Sequence, residues 1–171
     1  MLPLRSILSR LVLATVLCFG QSANAAIIHF IVPVDGLQEI GIPGDPDGTG
    51  VANLYINNVN LTIDWDISVN NILLPLNGAH IHQAASGVNG PIVVNFSSQL
   101  TGTNLFDADL ANILANPSNF YVNLHNAVHP AGALRGQLGA AVVIPEPATL
   151  GLLGLGVSIL ALWRRRTHSA A

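Results

Sequence analysis

Lysine occurs nowhere in the chain, and charged residues make up only 9% of its 171 residues. The Lys-rich surface usual for a cytosolic protein is therefore missing. The few bases are also poorly placed to meet a polyanion. Arg5 and Arg10 precede the first apolar run, Arg164, Arg165 and Arg166 follow the last, and Arg135 alone lies between. Against it, residues 26–144 carry eight acids: Asp35, Glu39, Asp45, Asp47, Asp64, Asp66, Asp107 and Asp109, for a net charge near minus seven. Phosphate backbones bind through clustered Lys and Arg, so nucleic acid is not an expected partner. Cysteine is limited to Cys18. It falls in the leader described next, so the exported chain has no thiol, disulfide or zinc–thiolate site. A nucleophile motif such as G-x-S-x-G is also lacking, and no enzyme activity is expected.

Both ends read as targeting segments. Residues 1–25 have a basic start, a short apolar stretch over 11–19 and the small-x-small site Ala23-Asn24-Ala25, which is the pattern of a signal peptide cut by signal peptidase. The mature chain would then begin at Ala26. Near the other end, the linker 142–147 holds Pro145, Glu146 and Pro147, and an apolar run follows over 148–163. Sixteen residues make about 24 Å of helix, a little short of a ~30 Å hydrocarbon core, and Trp163 with snorkelling arginines makes up the difference. Arg164, Arg165 and Arg166 open the tail 164–171 and hold it on the cytoplasmic side, with the domain outside. One domain remains, residues 26–141, a usual size for a single core.

This domain reads as strands. Residues 27–34 and 51–56 are apolar runs separated by a Gly/Pro/Asp-rich turn segment. In 61–69, Leu61, Ile63, Trp65, Ile67 and Val69 alternate with Thr62, Asp64, Asp66 and Ser68, so one face is buried and one is wet. Further strands are expected at 78–82, 92–96, 120–125 and around 134–138. Residues 107–115 instead place Leu110, Ile113 and Leu114 at helical spacing, with Asp107 at the amino end and Pro117 beyond the other. The expectation is an all-β Greek-key sandwich or barrel, immunoglobulin-like or superoxide-dismutase-like, with one short crossover helix. A signal peptide and a C-terminal transmembrane helix flank it.

The most informative stretch is Gly78-Ala79-His80-Ile81-His82. Alternation in a strand sends Ile81 to the core and both histidines to the opposite face. Residues 120–125 put Tyr121, Asn123 and His125 on one face likewise, and Arg135 and Gln137 share a face on the strand after it. Two readings of His80, His82, Asn123, His125, Arg135 and Gln137 follow. As a hydrogen-bonded outer face they order the strands and bind a partner, with no cofactor. Alternatively His80, His82 and His125 supply three nitrogens to copper or zinc. His29 and His129 lie apart from this group. Asp45-Pro46-Asp47-Gly48 lacks the full pattern of a calcium loop and reads as a turn. Asp64 and Asp66 read as surface acids.

Five segments in order resemble the motifs of the CHRD domain, first described in chordin. They are Gly36-Leu37-Gln38-Glu39-Ile40, Ala79-His80-Ile81-His82, Asn89-Gly90-Pro91-Ile92-Val93, Tyr121-Val122-Asn123-Leu124-His125 and Gly132-Ala133-Leu134-Arg135-Gly136-Gln137-Leu138. The family often has an acid where this chain has Ala133, which removes one potential partner of Arg135. Residues 145–166 are similar to the PEP-CTERM sorting signal of bacteria that build a polysaccharide matrix. That resemblance implies handling by an exosortase-type enzyme, first at the membrane and then at the cell surface or in the matrix. Together the two resemblances imply a non-enzymatic exported module that binds extracellular protein or polysaccharide. The Gly78-x-His80-x-His82 pattern is also similar to a copper-ligand strand of copper/zinc superoxide dismutases, without their disulfide or zinc loop. The alternative is thus a copper- or zinc-binding domain, with redox chemistry as one option.

Overall fold

The computed structural model describes residues 26–145 and 156–158. The expected signal peptide, Glu146 and Pro147, nearly all of the apolar run and Arg164 to Arg166 lie outside the described residues. Among those described, no helix is long and apolar enough to cross a membrane.

Among the described residues, nine antiparallel strands form one sheet that wraps, as a half-barrel, around a single core. They are β1 (Ala26–Asp35), β2 (Thr49–Asn57), β3 (Thr62–Asn70), β4 (Gly78–Gln83), β5 (Ile92–Asn95), β6 (Thr101–Phe106), β7 (Phe120–His125), β8 (Leu134–Gln137) and β9 (Val142–Pro145). Their order is β5-β4-β7-β8-β1-β2-β3-β6, with β9 also paired to β1. β1 is the seam. Its first four residues pair with β9, while at its far end only Asp35 meets Arg135 of β8, so the sheet divides there into two arms.

Alternation explains how the arms close on each other. Phe30, Val32 and Val34 of β1, Leu54 and Ile56 of β2 and Ile63, Trp65 and Ile67 of β3 turn inward from one arm. Ile81 of β4, Val94 of β5, Val122 and Leu124 of β7 and Leu134 of β8 meet them from the other. Trp65 joins the two by stacking on Phe96 at 4.5 Å between ring centroids, and its indole N–H donates to the Gln99 carbonyl. The expected strands are all present, with two additions. β6 (Thr-Gly-Thr-Asn-Leu-Phe) has no apolar alternation because its Gly102 lies against the Trp65 indole, where a Cβ would come within 2.2 Å. β9 takes in 142–145, which the sequence reading assigned to the linker, by pairing Ile144 with Ile27 and Val143 with Ile28.

The helix is shorter than expected. α1 (Leu110–Ala115) starts after Asp109, which makes no side-chain cap, while the Asp107 carboxylate accepts instead from the Asp109 N–H in the turn before it. Leu110 and Ile113 still bury against the core, so the spacing argument holds for the packing face. Leu61 likewise leaves the β3 alternation and sits in the preceding turn with φ of 51°.

Candidate metal centre

The candidate site lies on the face of β4 and β7 opposite the core. Ala79 and Ile81 have no exposed surface, so pleating sends His80 and His82 to the other side. The register sets Gly78 opposite His125, His80 opposite Asn123 and His82 opposite Tyr121. Across β8, Arg135 continues the Asn123 row and Gln137 the Tyr121 row.

This face is not the wet outer surface that alternation suggested. Residues 84–91 fold back over it, and Arg135 (2% exposed), Asn123 (3%) and His82 (9%) are buried. The polar face divides in two. Around Arg135 the donors are used, though Asn123 Oδ1 and Gln137 Oε1 stay buried without a partner: its guanidinium donates to the Asn89 side-chain oxygen at 2.8 Å and to the Val88 carbonyl at 2.7 Å. Its Cζ also lies 3.5 Å from the centre of the Tyr121 ring. The missing acid at Ala133 is thus no loss to Arg135, which finds an amide, a carbonyl and an aromatic face instead. Gln137 directs its amide N–H groups at the carbonyls of Ala84, Ser118 and Phe120, tying the start of the covering loop to the sheet.

The histidine half is different. His80 Nδ1, His82 Nε2 and His125 Nε2 are all buried without a hydrogen-bond partner. The ligand atoms of these three residues lie within 4.8 Å of one another, and among the described residues no other group of three potential metal ligands forms. Three orphaned buried nitrogens are costly unless something completes them. The opposite nitrogens fix the tautomers. His82 Nδ1 donates to the Gly90 carbonyl at 2.9 Å and His125 Nδ1 to the Pro130 carbonyl at 3.1 Å. A carbonyl only accepts, so each ring carries its proton on Nδ1 and turns the Nε2 lone pair into the cluster. Metal-ligating imidazoles are commonly oriented in this way, by a backbone carbonyl on the other nitrogen.

Electrostatics keep the lone pairs available. Burial, reinforced by the neighbouring His125 and His82, pushes His80 down to about 4. Burial also lowers His82, against the pull of the Gly90 carbonyl, and lowers His125 in the same way against that of Pro130. All three are free bases at neutral pH, the form that binds metal. Gly78 leaves them room, since a Cβ there would come within 2.8 Å of the His80 ring and 2.9 Å of the His125 ring. Zinc holds imidazole at about 2.0–2.1 Å, which sets ligand nitrogens roughly 3.3 Å apart.

The remaining candidates fall elsewhere. His29 stacks on Tyr55 and shares a hydrogen bond with Asn53, and His129 lies 3.9 Å from Asp45. Asp45 and Gly48 form a backbone-bonded turn, and Asp64 and Asp66 are exposed on β3. Pro145 ends β9, and nothing of the described structure bears on the sorting role of the motif that it opens. Sequence reasoning placed Tyr121, Asn89, Gly90 and Glu39 in family motifs but gave none of them a role at the site. Glu39 packs against Gly132 with Oε1 unpartnered, and burial, outweighing the nearby Arg135 charge, raises its carboxyl to about 7.

Fold and site together define an antiparallel β domain with a loop-covered histidine cluster on the back of its sheet. The CHRD domain model matches residues 30–138, and the chain belongs to the CHRD domain family. The PEP-CTERM protein-sorting motif matches residues 143–166, which implies export, anchoring through the C-terminus and processing by an exosortase-type enzyme. Neither the comparison with curated proteins nor that with solved structures returns a match.

Proposed function

We propose that this exported CHRD domain is a metal-binding module of the cell envelope or extracellular matrix, holding one copper or zinc ion on His80, His82 and His125. The observation that carries the reading is the convergence of three buried, unpartnered imidazole nitrogens, two of them with tautomers set by backbone carbonyls. Imidazole suits both ions, and with no sulfur in the cluster the donor set is not one that selects a soft ion by thiolate or thioether. The ion would supply the fourth partner that these nitrogens lack, and the chain's own residues would hold, orient and seclude it.

The module is read as a binding one, in which the three imidazoles hold the ion. Binding of protein or glycan through the same face has less support, since Asn123 and Arg135 are buried beneath residues 84–91. The strand order, with the chain crossing between the two arms after β3, β5 and β6, supports the Greek-key sandwich reading. The signal peptide, the transmembrane anchor and the release of the domain to surface or matrix belong to the same proposal. Titration of the metal-stripped mature chain with copper(II) and with zinc tests it. One equivalent should bind and His125→Ala should lose it, whereas equal uptake by the variant would rule the site out.

A further inference from the structure

Arg135 is nearly fully buried and makes no salt bridge among the described residues, though its charge acts on the Glu39 carboxyl, and such a burial is an expensive way to place a charge unless its geometry is used. Its side-chain hydrogen bonds go to the covering loop. The two hydrogen bonds end on Val88 and Asn89, and the next residue, Gly90, gives its carbonyl to His82. The Gly90 N–H in turn donates to the Tyr121 hydroxyl, and the Tyr121 ring stacks on His82 at 4.9 Å with the planes 15° apart. The guanidinium lies over the Tyr121 ring and that ring stacks on His82, so the contacts run diagonally from the Asn123 row to the Tyr121 row as guanidinium, phenol, imidazole. A planar fork with donors on both arms can seize two acceptors of one loop and stack on a ring together, which an ammonium cannot.

The tip of the loop has no apolar packing to hold it. Residues 85–89 are exposed, Val88 points its side chain to solvent, and Gly87 at the tip has a φ of +79° with open space around it. Its other anchors are polar ties, from Gln137 to Ala84, from the Gln83 N–H to the Pro91 carbonyl, from the Gly90 N–H to the Tyr121 hydroxyl and from Asn89 to the Ile40 carbonyl. We propose that Arg135 is the positioning residue of the metal centre: by clamping Val88 and Asn89 it fixes the Gly90 carbonyl, which holds the His82 proton on Nδ1 and aims Nε2 at the ion. The inference rests on the three-histidine reading. It also gives the buried arginine a role that needs no acid at Ala133.

The test uses the mature chain in detergent micelles, wild type against Arg135→Met and Arg135→Lys, with two readouts. In the metal-free protein, the imidazole Nδ1–H protons of His82 and His125 should be visible by NMR as slowly exchanging signals. Arg135→Met should lose the His82 signal and keep that of His125, whose acceptor Pro130 lies outside the loop. Zinc affinity, by competition with a chromophoric chelator, should fall about 10- to 100-fold, the usual cost of losing an orienting partner. Arg135→Lys should recover part of neither or only a small part, because charge without the fork does not restore the clamp. A folded Arg135→Met with the His82 signal and wild-type zinc affinity would overturn the proposal. If that variant does not fold, Asn89→Ala, at an exposed loop position, decides: an unchanged His82 signal and affinity count against the clamp, and loss of both supports it. Wild type that shows the His82 proton but takes up no zinc or copper would instead overturn the metal reading while leaving the clamp measurable.

Discussion

Replacing Ile81 by Ala tests the assignment of faces on which the site depends. Ile81 has no exposed surface and sits at the centre of β4, in register with Val94 on one side and Val122 on the other. Removing a buried branched side chain costs about 2 to 5 kcal/mol, with the value set by how far the surroundings collapse. Here both flanking strands are pinned by ladder hydrogen bonds, so collapse is restricted and the upper half of that range, about 3 to 5 kcal/mol, is expected. A domain of this size has roughly 5 to 15 kcal/mol in total, so Tm should fall by on the order of 15 °C. Urea unfolding followed by far-ultraviolet circular dichroism measures it, with the slope unchanged if the native compactness is retained. His82→Ala in metal-free protein is the control. It loses one hydrogen bond and a ring contact, about 1 kcal/mol. Ile81→Ala as stable as wild type, or less damaging than His82→Ala, would mean that the histidines face the core.

Metal-free stability should rise with pH between about 4 and 6.5, because folding depresses His80 from 6.5 to about 4 and the unfolded chain therefore binds more protons in that window. Glu39 opposes it, since its folded value near 7 lies above its ordinary 4.5 and its contribution is lost as pH rises between them; Glu39→Gln should steepen the rise, and urea midpoints across the window check both signs. Gly78→Val should push apart the His80 and His125 rings and lower zinc affinity by at least tenfold with the β-sheet spectrum retained, as a chelator competition would show. Amino-terminal sequencing should find Ala26 first on the exported protein, and deleting residues 148–171 should free the domain from washed membranes; retention there would refute the anchor.

The core was legible wherever one strand face meets water, as in Trp65 and Ile67 against Asp64 and Asp66, because burial and period coincide there. β6 was not, since Gly102 contributes to the core by leaving space for Trp65 and adds no apolar side chain. β9 was hidden because its pairing partner, β1, is more than a hundred residues away and its sequence runs directly into the sorting motif. Pleating alone grouped His80, His82 and His125. What it could not reveal was the return of residues 84–91 over them, which turns an outer face into a buried polar layer. That return is made by long-range bonds, from Arg135 to Asn89 and from the Gly90 N–H to Tyr121, and no local periodicity carries them. The Asn89-Gly90-Pro91 segment was visible as part of a family motif, but its role in aiming an imidazole was not.

X-ray absorption at the zinc or copper edge of the loaded mature chain addresses the three-histidine centre most directly. The account predicts three imidazole nitrogens at about 2.0–2.1 Å in the zinc form, falling by one in His80→Ala, His82→Ala and His125→Ala alike. A loaded ion with fewer imidazoles, or a spectrum indifferent to all three substitutions, would contradict it.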